Sequence, residues 1–435
     1  MSEAENLERK HVLRSWAVQK EMPYEEITGA EGCWFWNSEG KRYLDFSSQW
    51  INTNIGHQHP KIVEAIREQA ASLCYIAPSF GNKVRGELAA LIANHTPGDL
   101  SKVFFTLGGG EANDNAINIA RQVTGRHKIL ARYRSYHGST LGSLSITGDP
   151  RRLPAGPLLP GVVHFFDPYC YRCSFGKSYP QCGLECAEHL REIIMYEGPD
   201  TVAAIFIEPV NGTNGVFVPP KEYLPRIREI CDEFGILMVA DEVMTGWGRT
   251  GKWFGVDNWN VVPDMMTMAK GLTQAYVPLG AVVVNERIAS HYDHKMFWYG
   301  LTASGHPLAC AAGIATIKVY EEENLVQRSA EMGEYLKEKL DELKTGQPLV
   351  GDVRSIGLFA AIELVRDRET REPLVPWNEP DPGIMDQINR YLRDRGIYLY
   401  QRWNYLIIAP PLSITREELD LGLKSLEECL NQGSC

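Results

Sequence analysis

Seven short apolar runs between about Lys102 and Asn285, several of them separated by helical patterns, constrain this chain more than any other feature. They are Val103–Phe105, Ile129–Ala131, Val162–Phe166, Val202–Ile207, Ile236–Ala240, Met265–Met268 and Ala281–Val284. Short runs that are apolar throughout, without alternation, read as strands covered on both faces. The clearest helix between them lies within Pro220 to Phe234, where Leu224, Ile227, Cys231 and Phe234 share a face and Gly235 supplies a stop. Such alternation predicts an α/β fold with a mostly parallel seven-stranded sheet and helices on both faces. Its ligand crevice would lie at the carboxyl ends of the strands.

At 435 residues the chain exceeds what one hydrophobic core usually supports, so a division is expected. Residues 61–325 would form the large domain and 326–435 a smaller α+β unit, the pattern changing beyond Gly313 toward amphipathic helix and the strand candidates Phe359–Leu364 and Tyr405–Ile408. Residues 1–60 carry only the strand-like pieces Gly32–Asn37 and Arg42–Phe46, too few to fold alone, and are expected to pack with that unit. The 44 basic and 55 acidic residues leave a net charge of −11, which gives no support to a nucleic-acid surface or a polybasic membrane anchor. Met1 to Lys10 resembles neither a signal nor a transit peptide, and no apolar stretch suffices to span a bilayer. A cytoplasmic protein with small-molecule partners is expected.

The polar residues at the strand ends share a purpose. Ile236–Ala240 delivers Asp241 and Glu242, and Met265–Met268 delivers Lys270. Val103–Phe105 runs into Gly108-Gly109-Gly110-Glu111 and then a helical stretch ending at Gly125. A glycine turn opening a helix points free N–H groups and a positive dipole end at an anion, usually a phosphate. An amine, a carboxylate and a phosphate cradle at one crevice are what pyridoxal 5′-phosphate requires: a lysine for its aldehyde, an acid for its ring nitrogen and a cup for its phosphate. Each piece alone has an ordinary structural explanation as a cap, a turn or a loop; their combination on strand ends does not.

The stretch from Leu237 through Asp241-Glu242-Val243 to Gly251, followed by Asp264 to Gly271, resembles the class III aminotransferase signature. Tyr136-His137-Gly138, Glu208-Pro209-Val210 and Thr302-Ala303-Ser304-Gly305-His306-Pro307 extend the likeness over nearly the whole chain. The resemblance implies fold type I, bound pyridoxal phosphate, and a homodimer with active sites at the subunit interface. It makes Lys270 the Schiff-base lysine and Asp241 the partner of the ring nitrogen, with Val243 and Tyr136 on the two ring faces. Gly109 and Gly110 would offer N–H groups to the phosphate, and Thr302, from the neighbouring subunit, its hydroxyl. His137 would steady the Tyr136 segment, and Glu208 would lie near the cofactor's oxygen side. One departure stands out: the family's Ser-Gly-Ser or Ser-Gly-Thr turn reads Gly108-Gly109-Gly110 here, without the two hydroxyls.

Within that family the nearest likeness is to omega-transaminases such as the taurine–pyruvate, β-alanine–pyruvate and amine–pyruvate enzymes. It rests on Trp50 after Leu44-Asp45-Phe46, and on Pro410-Pro411-Leu412 followed by Thr415-Arg416. Trp50 and Phe80 would wall the substrate pocket, and Arg416 would be a mobile carboxylate-binding arginine, although Thr415 with Glu418 also spells a helix-capping box. The expected reaction moves an amino group from a terminal amine or omega-amino acid to a 2-oxo acid, pyruvate foremost, by a ping-pong cycle. Alternatives are a 4-aminobutyrate-type transaminase using 2-oxoglutarate, a decarboxylase of the dialkylglycine type, an aminomutase, and, from another class, a non-catalytic pyridoxal-phosphate-binding regulator.

Two motifs are set aside. Gly246-x-Gly248-x-x-Gly251 spells a dinucleotide fingerprint but neither follows a strand directly nor opens a helix. Cys170-x2-Cys173-x8-Cys182-x3-Cys186 has the spacing of a metal-ligand set, yet reduced, unliganded cysteines and no metal are the expectation.

Overall fold

The computed structural model describes residues 2–432, which leaves Cys435 outside the described residues. All seven apolar runs are strands of one sheet: β4 (Lys102–Thr106), β5 (Lys128–Arg132), β6 (Val162–Phe165), β7 (Val202–Ile207), β8 (Leu237–Asp241), β9 (Met265–Met268) and β10 (Gly280–Val284). Their order is β4-β10-β9-β8-β7-β5-β6. Neighbours among β6, β5, β7, β8 and β9 run parallel, whereas β10 is antiparallel to both β9 and β4. β7, β8, β9 and β10 are buried at every position, as continuous apolar runs require.

The helix Gly109–Thr124 ends at Gly125 (φ +68°), and Tyr223–Phe234 ends at Gly235 (φ +61°). Both are left-handed C-caps, a conformation that favours glycine. A small sheet of β1 (Ile27–Glu31), β2 (Trp34–Asn37) and β3 (Arg42–Asp45) is extended by the parallel pairing of β3 with β14 (Ile397–Tyr398). The N-terminal segment and the C-terminal portion therefore share a sheet. A third, antiparallel sheet orders β11 (Val350–Ile356), β12 (Phe359–Asp367), β16 (Tyr405–Ile408) and β15 (Tyr400–Arg402), with β13 (Glu372–Pro373) on β12. Gly313 lies inside the continuous helix Pro307–Glu322, packed where a Cβ would meet Leu88 at 2.9 Å. Among the described residues no helix is long and apolar enough to cross a membrane.

The glycines of the set-aside fingerprint serve packing. A Cβ on Gly248 would meet Leu412 at 2.8 Å, and one on Gly251 would meet Ala330 at 3.0 Å.

Candidate active site

The ends of β7, β8 and β9 and the start of the helix Gly109–Thr124 surround a cavity of about 400 Å³. Lys270, Asp241, Gly109, Gly110, Tyr136, His137, Glu208, Val243 and Trp50 all line it.

Asp241, the last residue of β8, is buried. Its Oδ2 accepts from Asn113 Nδ2 at 2.8 Å and from His137 Nδ1 at 2.7 Å, and its Oδ1 accepts from the Val243 N–H at 3.0 Å. Three donors on a buried carboxylate fix its direction. Asn113 is itself held, since its Oδ1 accepts from Thr267 Oγ1 at 2.8 Å. Glu242 points elsewhere: its carboxylate accepts from the N–H groups of Gly255 (2.8 Å) and Val256 (2.9 Å) and from Thr245, and burial raises it to about 7. The acidic pair thus divides into one residue facing the cavity and one tying down a loop.

Lys270 follows β9 by two residues in a left-handed conformation (φ +36°), a strained state for a side-chain-bearing residue. Burial lowers its amine to about 8, outweighing the attraction of Asp241 and Glu208, with Arg151 and Arg249 adding to the depression. Glu208 accepts from the Tyr136 N–H at 3.2 Å and the Gly212 N–H at 2.8 Å, and burial raises its carboxyl.

The helix Gly109–Thr124 has Gly108 as its N-cap, with no capping side chain. Its first intrahelical bond is made by the Ala112 N–H to the Gly108 carbonyl, leaving the N–H groups of Gly109, Gly110 and Glu111 without intrahelical partners. A Cβ on Gly109 would stand 2.8 and 2.9 Å from the Val243 methyls, so close approach requires glycine here. At Gly110 the fit is looser, with Ser143 Oγ and Thr140 Oγ1 each 3.3 Å from the position of a Cβ.

Not every expected residue reaches the cavity. Thr302 is exposed and outside the lining, its carbonyl accepting from Tyr75 Oη at 2.9 Å. Phe80 is likewise exposed and outside it. Arg416 also stands outside the lining. It is the first residue of the helix Arg416–Asn431, and its guanidinium lies 4.0 Å from the centre of the Tyr335 ring. Thr415 and Glu418 form the capping box, and this local geometry turns Arg416 toward Tyr335.

An arginine that does line the cavity is Arg151, whose guanidinium carbon lies 3.6 Å from the centre of the Tyr136 ring. Behind it, Asp149, fully buried, also binds Arg402 Nη2 at 3.4 Å. Trp16 also lines the cavity and lies 5.0 Å from Trp50, ring centre to ring centre; Tyr400 meets Trp50 from another side at 5.4 Å. Sequence reasoning missed all of these. Asp149-Pro150 is a helix-start signal and does cap a short 3-10 turn, which would have placed Arg151 at its opening. Asn113 stands one turn after Gly109 and was accessible from helical periodicity. Trp16 and Arg402 had no such local signal.

Residues 15–430 match the family model for aminotransferase class-III. The chain is 37% identical over 383 residues to a taurine–pyruvate aminotransferase of Bilophila wadsworthia, covering 85% of this chain and 83% of the relative. It is 38% identical over 408 residues to a leucine/methionine racemase of Thermococcus litoralis, covering 91% and 88%. Among solved structures, the taurine:2-oxoglutarate aminotransferase of Bifidobacterium kashiwanohense, in complex with pyridoxal phosphate and glutamate, superposes with a TM-score of 0.95 at 42% identity, covering 100% of this chain and 98% of that one. The chain belongs to the class III aminotransferase family, with the fold type I architecture and pyridoxal phosphate as cofactor. The cavity fits that cofactor: an amine, a hydrogen-bonded carboxylate and an uncapped helix N-terminus all border it.

Proposed function

We propose that this transaminase takes its amino group from a substrate bearing a terminal amine and an acidic tail, of the taurine or β-alanine kind, and passes it to a 2-oxo acid, pyruvate foremost. The observation that carries the reading is Arg151, a guanidinium that lines the cavity. Guanidinium forks pair with carboxylate and sulfonate oxygens two at a time, which suits an acidic tail better than a diamine or an arylalkylamine.

When bound, pyridoxal phosphate supplies an aldehyde that exchanges amino groups and a cationic ring that withdraws electrons. Lys270 would hold it covalently and then, as a neutral amine, take the proton next to the substrate nitrogen on Nζ and return it. Burial lowers the amine to about 8 and so enlarges its neutral fraction near physiological pH. Asp241, oriented by Asn113, His137 and the Val243 N–H, would hold a proton on the ring nitrogen. Gly109 and Gly110 would donate backbone N–H groups to the phosphate, and Val243 and Tyr136 would enclose the ring. His137 acts through Asp241 rather than on substrate. Glu208 orients the Tyr136 backbone. Trp50 with Trp16 would shield the site from water on the substrate side.

The proposal includes a homodimer in the cytoplasm. Thr302 and Phe80, exposed and away from the protomer's own cavity, would complete the site across the interface. A panel of taurine, β-alanine, 4-aminobutyrate, putrescine and 1-phenylethylamine against pyruvate and 2-oxoglutarate tests the reading. Preference for putrescine or 1-phenylethylamine would overturn it. A second reading, racemisation of an amino acid, is favoured by the likeness to the leucine/methionine racemase. Chiral analysis of leucine and methionine incubated without any oxo acid decides that.

A further inference from the structure

The function above leaves the cysteine-rich loop between β6 and the helix Glu185–Glu197 unexplained. From Phe166 to Leu184 this segment contains one three-residue 3-10 turn, Cys170–Arg172, and no other regular element. Irregular segments of such length in a compact domain call for something to hold them. The ends are held: Asp167 accepts from the Arg134 N–H at 3.1 Å, and Tyr169 lies 4.1 Å from Phe217, ring centre to ring centre. Between them the contacts are made by side chains: Arg172 Nη1 donates to the Arg371 carbonyl at 2.8 Å, the Phe175 ring lies 5.1 Å from that of His189, and Tyr179 Oη donates to Glu222 at 3.0 Å. The backbone there has the turn bond from the Gly176 N–H to the Cys173 carbonyl (3.0 Å), with Gly176 at φ +65°.

Cys170, Cys173, Cys182 and Cys186 all border one cavity of about 20 Å³ there, and none is in a disulfide. Two separate stretches thus bring a Cys-x2-Cys pair and a Cys-x3-Cys pair to the same small space. Cys186 is buried in the first turn of the helix Glu185–Glu197, whose N-terminus has no side-chain cap; Cys182 and Cys173 are half-buried and Cys170 is exposed. A divalent cation at their centre would stabilise every thiolate around it. The sulfurs have not closed on a common point: among the described residues no three His, Cys, Asp or Glu side chains stand together as a metal-holding group. Closure needs rotation of the side chains in the irregular loop, where Cys170 is exposed, Cys173 half-buried and Cys182 set against the edge of the core.

We propose that these four cysteines form a structural site for one zinc ion, remote from the transamination chemistry, that staples the loop. In the step, four S–H bonds break, four Zn–S bonds form and four protons pass to solvent, with no change of oxidation state. A closed set of four thiolates with no open position makes the ion structural rather than catalytic. Lys177, which lines the same cavity, would offset part of the excess negative charge.

The test uses full-length holoenzyme, produced without a polyhistidine tag in zinc-supplemented medium and gel-filtered, with zinc and pyridoxal phosphate quantified per chain. The expected result is about one zinc per chain, falling at least about tenfold in the Cys173→Ser/Cys182→Ser double variant while cofactor content stays unchanged. Should that variant fail to fold, alkylation of the wild-type protein, mapped by mass spectrometry, answers the same question. Zinc should protect these four thiols together, and a mercurial should release zinc in step with their modification. Wild-type protein with less than about a tenth of an equivalent of zinc, whose four thiols alkylate equally fast with and without added Zn²⁺, would overturn the proposal, as would an iron–sulfur chromophore.

Discussion

Asp149 grips Arg151 by backbone and side chain, accepting from its backbone N–H at 2.8 Å through Oδ1, and from its Nε at 2.8 Å and its Nη2 through Oδ2. The carboxylate is buried, and Arg402 leans on the same oxygen at 3.4 Å, so two guanidiniums share one anion. One positive charge remains uncompensated by Asp149, next to a cavity bordered by aromatic rings. Removing one side of a desolvated charge pair costs about 2–5 kcal/mol, or roughly 30-fold to several thousandfold. Arg151→Ala should therefore lower kcat/KM for taurine or β-alanine by at least that lower figure, with 1-phenylethylamine little changed. Equal losses for both donor kinds, measured against pyruvate, would detach Arg151 from tail recognition.

The lowered amine of Lys270 gives a pH prediction for cofactor uptake by apo-protein. Only the neutral amine is a nucleophile, and below about 8 its fraction falls about tenfold per pH unit. Uptake of pyridoxal phosphate, followed by visible absorbance, should accelerate up to about pH 8 and then level off. Lys270→Ala should show no covalent uptake at any pH. The linkage to stability has a definite sign as well. With the folded value depressed below that of an exposed lysine, the unfolded chain binds more protons between the two values, so this group makes the apo-protein more stable as pH rises above about 8. A pH-independent uptake rate between about 6 and about 9, on either side of the lowered value, would contradict the assignment.

Asp241→Asn should retain the cofactor and lose roughly 10²–10³ in turnover, the range typical of an electrostatic group acting on a developing charge. Asn113→Ala makes a sharper comparison, because it leaves the carboxylate in place and removes one of its donors. A smaller loss in kcat with an unchanged KM is the expected result. Wild-type turnover in Asp241→Asn would remove the residue from the mechanism.

Lys270, Asp241 and the glycine turn were legible in the sequence because each sits at the end of a strand. The strands announced themselves as continuous apolar runs, so the residue after each run was a candidate by position alone. The substrate side had no such guide. Trp16 meets Trp50 only because a loop from the N-terminus folds over the cavity mouth, and Arg402 meets Asp149 only through packing of the C-terminal sheet. Trp50 itself rests on a segment with positive φ at Ser48, Gln49 and Ile51, a conformation that no apolar pattern encodes. At Arg416 the capping box, visible in Thr415 and Glu418, gave the start of the helix but not the direction of the side chain.

The glycine turn makes a graded prediction. A methyl added at Gly109 would press on both Val243 methyls at 2.8 and 2.9 Å, moving a side chain that lines the cavity. One at Gly110 would meet two hydroxyl oxygens at 3.3 Å, which a small shift of Ser143 and Thr140 can relieve. Overpacking of the first kind costs about 1–3 kcal/mol, or roughly 5- to 150-fold in an equilibrium constant. Gly109→Ala should weaken retention of pyridoxal phosphate on dialysis by that order, and Gly110→Ala only slightly. Gly110→Ser, which adds a hydroxyl among hydroxyls, should hold the cofactor at least as well as wild type. The reverse ranking would mean that the turn does not seat the phosphate.

The last contrast is between two arginines that sequence spacing cannot distinguish. Arg416 lies over Tyr335 on the exposed start of a helix, so Arg416→Ala should leave the KM values for amine and oxo acid within about twofold, a size usual for surface substitutions. Arg402 differs in shielding one oxygen of Asp149. Without it the buried carboxylate has Arg151 as its remaining guanidinium partner and should pull it harder, leaving less of that cation for an incoming acid. Arg402→Ala should thus raise KM for taurine or β-alanine while leaving kcat near its original value, and Asp149→Asn in the same background should reverse part of the effect by releasing Arg151. Michaelis constants for these variants and the wild type, measured with an acidic-tailed donor and with 1-phenylethylamine, decide the matter. A steep loss in Arg416→Ala with no change in Arg402→Ala would show that the cation reaching the substrate comes from the helix start after all.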